Sequence, residues 1–94
     1  MSVIHEIAMF ENGDNRSTDP MPSFAAYADD VRLFTIDGEL IVQVQFDDSY
    51  WHITGSDHFN WYRERGQGFA TALYAIEYAL IMMNIPLSEL EEVM

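Results

Sequence analysis

The sequence predicts an α+β domain in which a three- or four-stranded antiparallel sheet packs against one long helix, followed by a short C-terminal helix. Three observations support this fold class. Apolar and polar residues alternate in several short segments, the pair Asp37-Gly38 separates two of these segments, and a long apolar stretch with helical spacing follows them. Alternation with a period of two is typical of strands, and a spacing of three to four is typical of helices. Because the chain has 94 residues, we expect a single domain over residues 1–94.

The N-terminal third predicts one strand and a loop. Residues 2–10 alternate in a way that fits a strand better than a helix. Residues 11–22 collect glycine, asparagine, aspartate, serine and proline, which predicts a flexible loop. Ser23 is a suitable N-cap for two helical turns that would extend to Asp30.

The middle of the chain predicts an antiparallel meander with one buried face. Residues 31–36 and 39–46 are rich in strand-forming side chains, and Asp37-Gly38 between them is a strong hairpin signal. Asp47-Asp48 predicts a second turn, and residues 49–54 predict the next strand. In 39–46 one face is apolar and the other mostly polar, so we expect one face of the sheet to be covered.

The principal helix is predicted over Phe69–Met83, after a linker at Gly55–Gly68. Its main apolar stripe has helical spacing and consists of Phe69, Leu73, Ile76, Leu80 and Met83. The opposite side is also apolar at Tyr74, Tyr78 and Ile81, which makes a homodimer through the 69–83 helix a possible arrangement. Asn84 and Pro86 are expected to end this helix. The capping-box pattern Ser88–Glu91 predicts a short C-terminal helix.

The charge is the strongest indication of function. The chain has no lysine. Its four arginines stand against sixteen Asp and Glu residues, which gives a formal net charge of −12. Because 49% of the residues are hydrophobic and 14% aromatic, this is not the composition of a disordered acidic tail. Such a charge makes a folded domain repel itself, and a positively charged partner protein would offset this repulsion. We therefore expect a basic partner, whereas nucleic acids and anionic membranes should repel the protein.

The sequence offers no specific catalytic or metal-binding constellation, so we predict no catalytic residue, no metal site and no cofactor. Cysteine is absent, and His5, His52 and His58 are not spaced as metal ligands. The N-terminal residues lack the features of a secretory signal, and the longest apolar stretch is shorter than a membrane span. We therefore expect a cytoplasmic location.

The predicted hairpin places carboxylates in two clusters that we expect to bind the partner. Asp29-Asp30 and Asp47-Asp48 should meet at one end of the sheet, because the strand after the first pair runs away from it and the next strand returns to the second pair. Asp37, Glu39 and Asp57 should lie at the other end. Aromatic side chains are enriched in binding hot spots, so Trp61 and Tyr62 in the linker are candidate interface anchors.

In composition and length the whole chain resembles the small acidic inhibitors of phages and mobile elements, which include the anti-CRISPR and anti-restriction DNA mimics. It is also similar in size and charge to the acidic immunity proteins that block nuclease toxins. The resemblance implies a non-enzymatic inhibitor of the nucleic-acid-binding site of a nuclease or CRISPR-type defence complex. For a phage-encoded protein it implies the cytoplasm of the host cell. No motif supports it, so it assigns no role to individual residues.

A glycine-containing segment supports a rival interpretation. The run Arg63–Gly68 (RERGQG), which leads into the predicted helix, resembles the acetyl-CoA loop of the GCN5-related N-acetyltransferases. The resemblance implies a minimal acetyltransferase that holds the cofactor pyrophosphate on backbone amides from Gly66 to Ala70, with Arg63, Arg65, Gly66 and Gly68 as cofactor-binding residues. The alternative is an ordinary loop in which the glycines permit a turn and the arginines pair with nearby carboxylates.

Overall fold

The structure, a computed structural model, describes residues 3–11, 28–47, 49–57 and 68–93. The elements in chain order are β1 (Glu6–Phe10), β2 (Asp30–Phe34), β3 (Leu40–Asp47), β4 (Tyr50–Gly55), α1 (Ala72–Met82) and α2 (Leu87–Val93). The strands form one antiparallel sheet in the order β1-β2-β3-β4. This confirms the α+β class, the antiparallel sheet and the short C-terminal helix. The principal helix has 11 residues, so it is shorter than the predicted one.

The N-terminal part of the sheet differs from the prediction at two boundaries. β1 begins at Glu6 rather than at residue 2. Asp30 is the first residue of β2, opposite Phe10 of β1 and Gln45 of β3, so the predicted helical turns do not extend to Asp30. Strand pairing on both sides holds this residue in the sheet. The predicted loop beyond Glu11 and residues 23–27 lie outside the described residues.

The predicted hairpin at Asp37-Gly38 is confirmed. Gly38 has a φ of +84°, a backbone conformation that glycine adopts without steric cost. Its N–H donates to the carbonyl oxygen of Thr35 at 3.0 Å, and this closes the turn between β2 and β3. At the opposite end of the sheet, Asp47 pairs with Tyr50 across the turn between β3 and β4, where Ser49 has a φ of +75°.

The predicted start of the principal helix at Phe69 is wrong. The N–H of Phe69 donates to the carbonyl oxygen of Trp51, and the N–H of Trp51 donates to that of Phe69, both at 2.8 Å. Phe69 therefore extends the sheet beside β4. The helix begins after Thr71, whose side-chain oxygen accepts the N–H of Tyr74 at 3.1 Å as an N-cap. Gly68 is required next to this pairing, because an added Cβ would lie 2.9 Å from the Cβ of Tyr50.

The end of α1 follows the prediction, whereas the start of α2 does not. Asn84 has a φ of +59° and donates to Ile81, and the N–H of Ile85 donates to Leu80 at 2.9 Å. This double hydrogen bond is a Schellman motif with asparagine in the left-handed position. α2 begins at Leu87, so Ser88 lies in its first turn and is not the predicted N-cap.

The core lies between α1 and one face of the sheet. Leu33 on β2, Val44 on β3 and Trp51 on β4 are fully buried there. The buried residues of α1 are Ala72, Ala75, Ile76, Ala79 and Leu80. Three of these five are alanines, which lets the helix approach the sheet closely.

The predicted stripe of α1 is therefore partly wrong. Ile76 and Leu80 are buried as expected, but the buried face also uses small residues that a search for large apolar side chains overlooks. Leu73, Phe69 and Met83 are only partly buried at its border. None of the helices in the described ranges is both long and apolar enough to span a membrane.

Candidate functional site at the acidic ends of the sheet

The first predicted carboxylate cluster lies where β2 begins and β3 ends. The N–H of Phe46 donates to the carbonyl oxygen of Asp29 at 2.9 Å, and this brings Asp29 beside Asp47. Asp47 is exposed, and Asp29 is half-buried. Together with Gln45 and Phe46, these aspartates line a shallow open depression. The register thus confirms that these parts of the two predicted pairs share one end of the sheet; Asp48 lies outside the described residues.

Asp30, the remaining member of this cluster, points to the face of the sheet opposite α1 and is only 1% exposed. Its two carboxylate oxygens accept from Nε and Nη2 of Arg32, both at 3.1 Å. The side-chain amides of Gln43 and Gln45 also donate to Oδ2, at 3.1 and 3.2 Å. These four side chains, which we call the Asp30 network, satisfy both oxygens of a carboxylate that would be costly to bury alone.

The Asp30 network also neutralises Arg32, the one lysine or arginine in the described parts of the chain. The hydrogen bond to Asp30 raises the pKa of the Arg32 guanidinium above its ordinary value; burial opposes this shift, and the Coulomb attraction of Asp30 adds to it. The ring of Phe10 lies 4.8 Å from the guanidinium carbon, within the range of a cation–π interaction. Asp30 is thus enclosed by its own chain, whereas Asp29 and Asp47 lie nearer to solvent.

The second predicted cluster lies at the opposite end of the sheet, and all three members are exposed. Asp37 is in the β2–β3 turn. The N–H of Glu39 donates to Oγ1 of Thr35 at 3.1 Å. The carboxylate of Asp57 accepts the N–H of Leu40 at 2.8 Å, while its own N–H donates to the Leu40 carbonyl oxygen at 2.8 Å. Asp57 therefore also fixes the chain that leaves β4.

A groove at this end of the sheet was missed by the sequence analysis. It lies beside the Asp37 and Glu39 turn and is lined by Val3, Thr35, Ile41, Met82, Met83, Asn84 and Ile85. These residues come from four separate parts of the chain, so no local pattern could have indicated it. The run of apolar residues Ile81, Met82 and Met83 at the end of α1, of which Ile81 and Met82 are exposed, is the nearest signal that the sequence contains.

The predicted rival site for acetyl-CoA is described only in part. Arg63, Arg65 and Gly66 lie outside the described residues, as do Trp61 and Tyr62. Gly68 lies against Tyr50, and the N–H of Phe69, one of the amides that the resemblance assigns to the pyrophosphate, donates to Trp51 instead. Within the described ranges, no three His, Cys, Asp or Glu side chains form a group that could hold a metal ion.

Comparisons of the chain with known protein families, with curated proteins and with solved structures found no similar protein.

Proposed function

We propose that this protein is a non-enzymatic acidic inhibitor that acts in the cytoplasm. It binds the positively charged nucleic-acid-binding site of a nuclease or of a CRISPR-type defence complex and thereby takes the place of DNA. Asp29 and Asp47 provide the first contacts, together with Asp48, and Asp30 holds the sheet in the shape that presents them.

The observation that carries this proposal is the net charge of −12. Proteins that bind DNA align cations against phosphates, and an acidic surface gains attraction from the same cations. A single exposed ion pair contributes only about 0.2–1 kcal/mol, so several aligned pairs are needed to decide between competing partners. The only arginine in the described ranges is neutralised by Asp30, so it adds no competing positive charge to the acidic surface.

The test begins with capture of partners from a host lysate at low and high salt. An electrostatic partner should be retained at about 0.05 M salt and released at about 0.5 M salt, because the screening length falls from above 10 Å to a few Å. The retained protein should also be released by double-stranded DNA at low salt. Retention that resists both salt and DNA would contradict the proposal.

The matched variants are Asp29→Lys with Asp47→Lys, and Glu91→Lys with Glu92→Lys as the control. Both pairs change the net charge by the same amount, and Glu91 and Glu92 are exposed on α2. We expect the first pair to weaken binding at least about tenfold, which corresponds to about 1.4 kcal/mol, and the second pair to weaken it much less. Equal losses would mean that only net charge matters. Calorimetry with acetyl-CoA tests the acetyltransferase alternative, and measurable binding there would favour that enzyme.

A further inference from the structure

We propose that the groove beside the β2–β3 turn is a docking site for an apolar side chain carried on a positively charged segment of a partner protein. The groove has a volume of about 410 Å³, within the range of about 300–1,000 Å³ that is usual for binding pockets. The proposal rests on the proposed function only for the sign of the partner's charge. It concerns a different surface and a different kind of contact.

The lining of the groove is mostly apolar. Ile41 is fully buried, whereas Val3 and Met82 at its border are 41% and 42% exposed. Met83 and Ile85 continue the apolar lining after the end of α1. The left-handed turn at Asn84 directs the chain away from the helix axis, so these residues form a concave wall rather than another helical turn. Apolar side chains around a concave surface are typical of a site that accepts an apolar group.

Acidic residues adjoin the groove on two sides. On one side, Thr35 in the lining is hydrogen-bonded to the backbone of Glu39: its N–H donates to the Glu39 carbonyl oxygen at 3.0 Å, and its Oγ1 accepts the Glu39 N–H at 3.1 Å. Asp37 is exposed in the same turn. On the other side, the N–H of Val3 donates to the carboxylate of Glu89 on α2. Arg32, the single cation of the described ranges, is held by Asp30 on the opposite face of the sheet.

The charge decides which occupant fits. A second copy of this chain would bring another net charge of −12 to an acidic rim, and an anionic membrane would be repelled in the same way. A cationic segment gains attraction from the rim, while one apolar side chain fills the groove and is removed from water. Burial of a Leu, Ile, Met or Phe side chain strengthens binding by about ten- to hundredfold. The fitting partner is therefore a segment with such a residue between arginines or lysines.

The probes are three synthetic peptides of equal length, followed by NMR of the methionine methyl groups. The first alternates arginine and leucine, the second replaces each leucine by serine, and the third replaces each arginine by glutamate. We expect the first peptide to shift Met82 and Met83 in a saturable manner, with much smaller shifts at Met9, which lies near the far end of β1. The serine and glutamate peptides should bind at least about tenfold more weakly.

Equal binding of the serine peptide would show that charge alone is recognised and would overturn the proposal. Shifts of equal size at Met9, or no binding of the first peptide, would do the same. Because these peptides replace the biological partner, failure here leaves the proposed function intact, and failure of the capture experiment leaves the groove intact.

The variant for this test is Met82→Lys, with Tyr74→Lys as its control. Both residues are exposed on α1, at 42% and 59%, so both variants should fold. They are eight positions apart, about 12 Å along the helix axis. We expect Met82→Lys to weaken binding of the first peptide at least about tenfold, and Tyr74→Lys to weaken it about twofold or less. The shift of the Met83 methyl group reports binding in both variants. Equal effects of the two variants would contradict binding in the groove.

Discussion

The two faces of the sheet are stabilised by different kinds of interaction. The face towards α1 is apolar, with Leu33, Val44 and Trp51 among its fully buried side chains. The other face has no helix packed on it within the described residues, and its most buried side chain is a carboxylate, Asp30. The first face needs only apolar volume that fits together, whereas the second needs donors at defined positions around two oxygen atoms.

The difference has a consequence for the surface charge. Burial on the apolar face removes no charge, so acidic residues of the described ranges such as Asp37, Asp47 and Glu91 remain exposed at the turns, the sheet ends and the helix surface. The other face does bury a carboxylate, and the Asp30 network pairs it with the guanidinium of Arg32, whose side chain is 39% exposed. The polar face thus pairs Arg32, the one arginine of the described ranges, with a carboxylate, so that it adds no uncompensated positive charge to the acidic surface on which the proposed function depends.

The largest effect is expected when the apolar face is broken with Trp51→Ala. Trp51 is fully buried and its ring centroid lies 5.6 Å from that of Phe46. Truncation of a buried tryptophan removes apolar contacts and leaves a cavity, so we expect the free energy of unfolding to fall by about 3–5 kcal/mol. Chemical denaturation followed by circular dichroism measures this change.

If Trp51→Ala does not fold, Ile53→Val provides a milder test of the same face. Ile53 is 2% exposed, and loss of one buried methylene group should lower the free energy of unfolding by about 0.5–1.5 kcal/mol. Neither variant should change the Asp30 network. A neutral result for both would mean that the apolar face does not determine stability.

A smaller loss is expected when the polar face is broken with Asp30→Ala. The substitution leaves the guanidinium of Arg32 and the amides of Gln43 and Gln45 without their shared acceptor. Because hydrogen bonds to charged groups contribute more than neutral ones, we expect a loss of about 2–3 kcal/mol in the free energy of unfolding. The control is Asp47→Ala at an exposed aspartate, which should change the free energy of unfolding by less than about 0.5 kcal/mol. Equal losses would contradict the proposed role of burial.

The ion pair between Arg32 and Asp30 should persist through the alkaline range. The hydrogen bond to Asp30 raises the pKa of Arg32 in the folded state. The stabilising contribution of Arg32 is therefore fully present below its pKa in the unfolded chain, and it is lost only as the pH rises through the higher folded-state value. We expect the stability difference between the wild type and Asp30→Ala to stay constant from neutral pH to about pH 10, since arginine remains charged there.

The apolar face could be predicted from the sequence because its signals are local. Alternation in 39–46 indicates which side chains share a face, and Asp37-Gly38 fixes the turn between two strands. The observed start of α1 after Thr71, rather than at Phe69, could not be predicted in this way. Phe69 fits the apolar period of the helix, but its backbone pairs with Trp51, which is 18 positions earlier in the chain.

The Asp30 network could not be predicted for a related reason. An aspartate next to Asp29, after a loop, has the sequence context of an exposed turn residue. Its burial depends on Gln43 and Gln45 of β3, which only the strand register brings within hydrogen-bond distance. The sequence identified the end of the sheet where the carboxylates meet, but not which of them is enclosed.

A smaller loss than for Trp51→Ala or Asp30→Ala is expected in the segment that pairs beside β4, and the variant is Gly68→Ala. Gly68 lies against Tyr50, whose neighbour Trp51 belongs to the apolar face, and the next residue, Phe69, pairs with Trp51. An added Cβ would come within 2.9 Å of the Tyr50 Cβ and 3.0 Å of its Cγ. The Cβ of Tyr50 is fixed to the backbone of β4, so the segment around Gly68 must move away. We expect the free energy of unfolding to fall by about 1–2 kcal/mol.

The matched control is Gly55→Ala, at the other end of β4. There the nearest atom to an added Cβ is the side-chain oxygen of Gln43 at 3.4 Å, which a small side-chain adjustment can accommodate. We expect the free energy of unfolding to change by less than about 0.5 kcal/mol.

Hydrogen exchange at the Phe69 amide provides a second measurement on Gly68→Ala. Displacement of the segment should break the hydrogen bond from this amide to Trp51 and accelerate its exchange, while the amides of β2 and β3 remain protected. Uniform acceleration across the sheet would instead mean that this segment and both faces unfold as one unit.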